Sequence, residues 1–271
     1  MKSYNGYFEN KVAVVTGGAS GIGLGTAEEM LAGGARGVFM GDITEENLER
    51  EAARLNQKYP ERAFPMLADV TKEDQVIKLI QAAKELEGHL DFVFNNAGRG
   101  ATLPAEQVTF DLWRQILDLN VMGVIYGTYA ALPIMREQGF GHIVNTASLA
   151  GLVPIPYQAV YVASKSAVIS MTESLYYELE PEGLRFSVVC PSNIKTPIFG
   201  DMAPPPDAIS VEDAVAYIFE EMEKDSLIIA LPESSRNISL YYRTKREEFD
   251  ELMRGMAKER RENYRTKGTY Y

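Results

Sequence analysis

The chain is poor in cysteine and histidine, and it lacks both a long apolar run and a surplus of positive charge. Cys190 is the single cysteine among 271 residues, so no internal disulfide can form, and a reducing compartment fits. It lies in the apolar run Phe186, Ser187, Val188, Val189, Cys190, which reads as core. The two histidines, His89 and His142, stand alone, with no ligand spacing around either and the cysteine far from both, so no metal site is expected. Gly-x-Ser-x-Gly is absent, which gives a serine-hydrolase reading little to stand on. No run of about 18 apolar residues occurs, and the opening Met1-Lys2-Ser3-Tyr4-Asn5-Gly6 holds no apolar stretch of signal-peptide length. A cytoplasmic protein without a membrane partner is therefore expected. The net charge of −11 argues against a nucleic-acid partner, because neutralising phosphates needs a basic face.

What is present is the composition of an ordinary globular protein, 46% hydrophobic and 24% charged, at a length near the upper end of one domain. Short β-branched runs at 11–16, 37–42, 63–68, 90–95, 142–147, 185–191 and 227–231 alternate with helical patterns such as 45–58, 72–87, 111–135 and 159–179. Helices of that length suit right-handed crossovers between parallel strands. The strand segments are nearly continuous apolar runs, as in Val12-Ala13-Val14-Val15, which burial on both sheet faces requires. The expected fold is α/β: a Rossmann-like, doubly wound, seven-stranded parallel sheet with helices on both faces, plus a C-terminal helical tail. Residues 1–235 are expected to form one catalytic domain and 236–271 a basic extension. Pro204, Pro205 and Pro206 can continue neither helix nor strand, so a loop crosses there and is expected to lie over the site as a lid.

Charge is distributed unevenly. Residues 236–271 hold ten Lys/Arg against six Asp/Glu, a surplus of four positive charges, which leaves the rest of the chain at −15. That tail has three readings: a helix folded against its own acidic body, an arm embracing a neighbouring subunit, or a solvated end. The second is favoured, and it predicts a smaller assembly when residues after Ser235 are deleted.

The first strand runs into Thr16-Gly17-Gly18-Ala19-Ser20-Gly21-Ile22-Gly23 and then a helix, placing a glycine turn and a helix N-terminus where a pyrophosphate can meet backbone N–H groups. Glycines also serve plain tight turns, so the turn needs a companion. Asp42 ends the second strand at about the 20-residue offset at which an acidic side chain accepts hydrogen bonds from an adenosine ribose; the alternative is a helix cap. Beside a 2′-phosphate this carboxylate is repulsive, and neither Gly18-Ala19 nor Ile43-Thr44 supplies a cation, so NAD is favoured over NADP. Four residues separate Tyr161 from Lys165, which puts both on one helix face. A free phenol titrates near pH ~10, but an adjacent ammonium and a cationic nicotinamide ring favour the phenolate and make Tyr161 a usable acid/base. Tyr-x-x-x-Lys alone more often marks a solvated helix face.

Taken in order, Thr16-Gly17-x-x-x-Gly21-x-Gly23, Asn95-Asn96-Ala97-Gly98, Asn120, Ser148 and Tyr161-x-x-x-Lys165 resemble the short-chain dehydrogenase/reductase family over roughly residues 10 to 231. The resemblance implies that Ser148 hydrogen-bonds the substrate oxygen, Tyr161 exchanges its proton, Lys165 also holds the nicotinamide ribose, and Asn120 orders a proton-relay water. It implies further that Asp69 and Val70 lie along the adenine and that Asn96, Ala97 and Gly98 line the cofactor. Pro191 through Thr196, Ile194 included, close over the nicotinamide. Gly17, Ser20, Gly21, Ile22, Gly23, Asp42 and Ile43 complete the cofactor set, with Tyr161 and Lys165. One departure is visible: Ser192 follows Pro191 where the family usually has glycine, which puts the pocket's shape in doubt. The resemblance implies a homodimer or homotetramer acting on a small molecule. Leu149, Tyr157, Ser192 and Phe199 are the substrate candidates, with Leu152, Ile155, Ile198 and Met202 nearby, and Tyr157 is placed one helical turn before Tyr161. This apolar set suggests a bulky, weakly polar secondary alcohol or ketone such as a hydroxysteroid, although the same residues could simply pack a lid onto the body. Two other readings are a non-enzymatic dinucleotide redox sensor and a sugar-nucleotide epimerase or dehydratase. The first need not keep four catalytic residues, and the second generally has a larger C-terminal substrate domain.

Overall fold

The computed structural model describes residues 6–200 and 204–270. Seven strands, β1 Val12–Thr16, β2 Gly37–Asp42, β3 Ala63–Leu67, β4 Phe92–Asn95, β5 Gly141–Thr146, β6 Leu184–Pro191 and β7 Ile228–Leu231, form one parallel sheet in the order β3-β2-β1-β4-β5-β6-β7. The helices are α1 Gly21–Ala32, α2 Glu45–Lys58, α3 Glu73–Glu87, α4 Phe110–Leu117, α5 Gly123–Gln138, α6 Leu149–Leu152, α7 Ala159–Leu179, α8 Val211–Glu223, α9 Glu233–Thr244 and α10 Arg246–Lys267.

Strand β1 shows why the sheet is covered twice. Successive side chains of a strand point to opposite faces. Ala13 and Val15 pack with Met30 and Leu31 of α1 and Phe219 of α8, whereas Val12 and Val14 pack with Leu79 and Ile80 of α3 and Leu132 of α5. All four β1 residues are fully buried, so an apolar run without alternation is what this position demands.

The strand order reverses between β1 and β4, and in such sheets the crevice outside the carboxyl ends of the strands at that reversal is where ligands bind. Thr16 ends β1 and Asn95 ends β4 beside it. Thr16 joins the two: its Oγ1 accepts from the backbone N–H of Asn96 (3.0 Å) and of Ala97 (3.1 Å), and its carbonyl accepts from Asn96 Nδ2 (3.1 Å).

The stretch 111–135, expected as one helix, is interrupted. A π-helical turn, Asp118–Met122, separates α4 from α5 and carries the fully buried Asn120. The whole stretch Phe110–Gln138 is long and apolar enough to span a membrane by composition. Here α5 instead lays Val124, Ala131, Leu132 and Met135 against the sheet and α3. Its Gly127 is obligatory by contact, since a Cβ there would lie 1.8 Å from Asn95 Oδ1.

The tail packs against its own body, the first of the three readings. Phe249 is fully buried with Tyr241 and Tyr242 in a cluster that includes Leu149, Leu152 and Cys190. Arg260 Nη1 donates to the carbonyl of Pro156 (2.7 Å), and Arg261 Nε donates to Tyr157 Oη (3.3 Å). The extension also begins inside a helix, α9, whose Ser235 is buried and donates to Leu231 O.

Candidate active site

Two cavities open at the carboxyl edge of the sheet and meet along Gly100, Tyr161 and Ile198. The first, of about 510 Å³, runs from the glycine turn across the ends of β2, β1 and β4. The turn is built for close approach: Gly17 and Gly21 have left-handed φ of 66° and 53°, and a Cβ on Gly23 would lie 2.1 Å from the carbonyl oxygen of Gly17. No side chain caps the N-terminus of α1, and its first turn holds no acidic residue. That leaves its backbone N–H groups and the positive end of its dipole for an anion.

Most of the expected cofactor residues line this cleft: Gly17, Ser20, Gly21 and Ile22 on one side, Asp42 and Ile43 at one end, and Val70 below. Asn96, Ala97, Gly98, Tyr161, Lys165, Pro191 and Thr196 lie on the other side. Ile43 leaves 68% of its surface exposed beside it, an apolar ledge. Asp42 is fixed by two backbone groups, Oδ2 accepting from Ala19 N (3.1 Å) and Oδ1 from Thr44 N (3.0 Å). The carboxylate therefore ties the glycine turn to the start of α2 and faces the cleft at once, so the helix-cap alternative and the cleft position coexist.

Three expected residues do not line the cleft. Gly23 lies behind the turn that it allows. Asp69 turns Oδ1 into its own loop, accepting from Thr71 N (2.9 Å) and Thr71 Oγ1 (2.8 Å). Ile194 is buried in the core beneath α8 and bridges to Ile209.

On α7, Tyr161 and Lys165 share a face, with Lys165 Nζ 5.9 Å from the centre of the phenol ring. Lys165 is buried, and Nζ donates to the carbonyl of Thr146 (2.8 Å). Burial disfavours the ammonium and pulls its pKa down to about 8, partly opposed by the nearby Cys190. Ser148 ends the segment after β5 and caps α6, its Oγ accepting from Ala150 N (3.2 Å) and donating to Pro191 O (3.3 Å). Asn120 is spent on its neighbours: Oδ1 accepts from Arg99 N (3.0 Å), and Nδ2 donates to Arg99 O (3.0 Å) and Ser164 Oγ (3.1 Å). Cys190, below Lys165, is pushed up to about 12 by burial and stays a thiol. His142 is held down to about 3 by burial next to Arg185 and is a neutral core group paired with Ser187 Oγ (2.9 Å).

The second cavity, of about 600 Å³, adjoins the first and shares Gly100, Tyr161 and Ile198 with it. Ser148, Leu149, Ser192 and Phe199 line it as expected, with Ile155 and Ile198. Leu152 turns into the core instead, and Met202 lies outside the described residues. Tyr157 is not on the helix before Tyr161. It precedes α7 in a left-handed turn with φ 66°, and its ring packs against Tyr270, 5.0 Å between centres, rather than lining the cavity. The loop after β6 borders both cavities through Thr196, Pro197, Ile198, Phe199 and Asp207, while Pro204, Pro205 and Pro206 line neither. Among the described residues, no group of three or more His, Cys, Asp or Glu is placed to hold a metal ion.

Comparison with known proteins shows the family. The profile of the short chain dehydrogenase family matches residues 11–206. The chain belongs to the short-chain dehydrogenases. Members of this family are oxidoreductases that bind a nicotinamide nucleotide, and this one shares the Rossmann-like sheet of its solved relatives. A levodione reductase from Leifsonia aquatica is 36% identical over 193 residues, covering 70% of this chain and 72% of that protein. The structure of a short-chain dehydrogenase from Burkholderia phymatum in complex with NAD superposes with a TM-score of 0.81 at 30% identity, covering 89% of this chain and 95% of that one. A second, from Burkholderia cenocepacia J2315 in complex with NADP, gives 0.79 at 28% identity, covering 91% and 98%.

Beyond the family motifs, this short-chain dehydrogenase places residues at its site that sequence reasoning missed. Arg99, Gly100, Leu119 and Thr146 line the first cleft. Ile238, Leu252, Met253, Met256, Arg260 and residues 268–270 line the second, all of them after the family match ends. The only signal for the latter in the sequence was the apolar scatter along the tail, which says that a face is buried and not against what.

Proposed function

We propose that this short-chain dehydrogenase transfers a hydride reversibly between NAD and a secondary alcohol or ketone, with Tyr161 as acid/base. The observation that carries the proposal is that Tyr161 sits on the wall common to the cofactor cleft and the substrate cavity, with Lys165 on one side and Ser148 on the other. The nicotinamide supplies the hydride chemistry when bound. The chain supplies position and the proton: Tyr161 Oη takes the alcohol's proton in oxidation and returns it to the carbonyl oxygen in reduction. With a pKa of about 8, Lys165 is mostly an ammonium at neutral pH, and its charge beside the ring favours the phenolate. One of its three donors holds Thr146 O, which leaves the group able to reach a ribose hydroxyl. Ser148 Oγ–H turns from its 3.3 Å contact with Pro191 O to the substrate oxygen, where charge develops. Both amide hydrogens of Asn120 are already donated, to Arg99 O and Ser164 Oγ, so we assign a relay water to an acceptor at the π-helical turn rather than to its NH2 group.

Asp42 supports NAD over NADP. The cations at the cleft, Arg99 and Lys165, come from segments beyond β1, at least two strand spacings or about 10 Å from β2. A 2′-phosphate beside Asp42 would therefore meet a carboxylate with no side-chain cation beside it among the described residues that line the cleft. The largely apolar cavity of about 600 Å³ supports a bulky, weakly polar substrate such as an alicyclic or hydroxysteroid alcohol, and the relationship to a levodione reductase supports a ketone or alcohol group. We assign residues 1–235 as one catalytic unit with 236–271 as an extension packed on it. We further assign a cytoplasmic homodimer or homotetramer, supported by the free, buried Cys190 and by the exposed Phe110 and Tyr177 on adjacent helices α4 and α7.

Titration with NADH and separately with NADPH, followed by fluorescence, tests the cofactor; tighter NADPH binding overturns the assignment of Asp42. Tyr161→Phe is expected to lower turnover of a secondary alcohol by about 10²–10⁴-fold while NADH still binds. A variant as active as the parent removes Tyr161 from the mechanism, and a steroid and alicyclic panel without turnover removes that substrate class.

A further inference from the structure

We infer that α10 is the specificity wall of this enzyme, with Met256 and Met253 deciding how large a substrate reaches Tyr161. The inference rests on the oxidoreductase reading above and names a part of the site, at 249–270, that lies beyond the residues 11–206 matched by the family profile.

Phe249, Met253, Met256 and Arg260 recur at helical spacing and face the body. Phe249 anchors this face in the core, fully buried beside Tyr242 at 4.9 Å between ring centres. Met253 and Met256 line the same cavity as Leu149, Ile155 and Phe199 of the body. The far end is clasped: Arg260 holds Pro156 O, Arg261 holds Tyr157 Oη, and Tyr270 stacks on Tyr264 at 4.5 Å and packs against Tyr157. Tyr157 is four residues before Tyr161, so the clasp fastens the wall to the start of the helix that carries the acid/base. The left-handed backbone of Tyr157 is a conformation that L residues other than glycine rarely hold without support, and the clasp closes on that residue. Thioether side chains are unbranched and flexible, so a methionine wall yields to differently shaped apolar rings while excluding water. A wall of this kind selects by bulk rather than by hydrogen bonding, which limits discrimination per methylene to roughly 10–200-fold.

The test changes the size of the wall and reads large against small substrates. Met256→Trp fills the cavity, and Lys258→Trp adds the same ring on the exposed face of α10 as a control. With NADH or NAD saturating, Met256→Trp is expected to raise the KM of a bulky alicyclic or steroid substrate at least tenfold, leave that of cyclohexanol or cyclohexanone within about twofold, and leave NADH affinity unchanged; Lys258→Trp changes none of these. Met256→Ala enlarges the same cavity and is expected to move the KM of the bulky substrate alone, which keeps the test intact if the tryptophan variant does not fold. Bulky and small substrates moving together, or neither moving, overturns the inference. If the parent enzyme turns over no alcohol or ketone, the activity reading fails separately, and binding of the neutral dye Nile red to the NADH-loaded protein decides the wall. A tenfold weaker dye affinity in Met256→Trp than in Lys258→Trp supports it, and equal affinities overturn it.

Discussion

Replacing Lys165 by methionine gives a stability difference that changes with pH by a calculable amount. The side chain is buried, and its pKa falls from an ordinary 10.5 to about 8 in the folded protein. At about 1.36 kcal/mol per pH unit this costs the folded state about 3 kcal/mol at neutral pH. Below pH 8 both states are protonated and the cost is complete. Between pH 8 and 10.5 the unfolded chain binds more protons than the folded one, so stability rises with pH, and above 10.5 the penalty is gone. The lost hydrogen bond to Thr146 O costs the methionine variant about 1 kcal/mol, nearly independent of pH. Lys165→Met is therefore expected to be more stable than the parent by about 2 kcal/mol at pH 7 and less stable by about 1 kcal/mol near pH 10.5. Urea unfolding of both proteins at pH 7, 8, 9 and 10 measures this, and taking the difference cancels every other titrating group. A difference that is constant across the range, or that grows in favour of the variant as pH rises, refutes a depressed lysine. Turnover is expected to fall sharply in the variant whatever its stability, because the lysine borders the cofactor cleft beside Tyr161.

Asp42→Ala removes a charged hydrogen-bond acceptor and is expected to weaken NADH binding by about 10- to 100-fold while NADPH binding changes less; equal losses for both nucleotides count against the ribose assignment. Gly127→Ala puts a methyl 1.8 Å from Asn95 Oδ1, so Asn95 must give up its bonds to Thr128 and Asn145. Overpacking of about 1–3 kcal/mol outweighs a helix-propensity gain of at most about 1 kcal/mol, and chemical denaturation is expected to show net destabilisation. An unchanged or raised midpoint contradicts it.

The sheet and its nucleotide end were legible because their causes are local. Strands buried on both faces need apolar runs, and a glycine turn needs residues without Cβ where β1 meets α1, so both requirements are written at fixed positions. What was not legible depends on groups distant in the chain. The π-helical turn at Asn120 forms around its bonds to the backbone of Arg99 and to Ser164, 21 and 44 residues away, and a helical pattern alone passes straight through it. Tyr157 was placed on α7 by counting back from Tyr161, but the helix starts only at Ala159 and the turn before it is held by Leu103 N and the tail. Asp69 stands between Ala68 and Val70, which line the cleft, and that its Oδ1 also closes its own turn is visible only in the bonds to Thr71. The tail's charge left three placements open, and only the contacts of its apolar face, anchored by Phe249, show where it packs on this molecule.

The order of these parts along the chain has a bearing on biosynthesis. Every residue lining the nucleotide cleft lies between positions 17 and 198, whereas the cavity for the second substrate takes a wall from positions 238 to 270. On the ribosome, the half that grips the nucleotide leaves the exit tunnel first, and the half that chooses what is oxidised or reduced waits for the last helix. The cleft nevertheless shares its core with α8 and β7, through Phe219 and Ile229, so the residues that line it are all made before the core that supports them is complete.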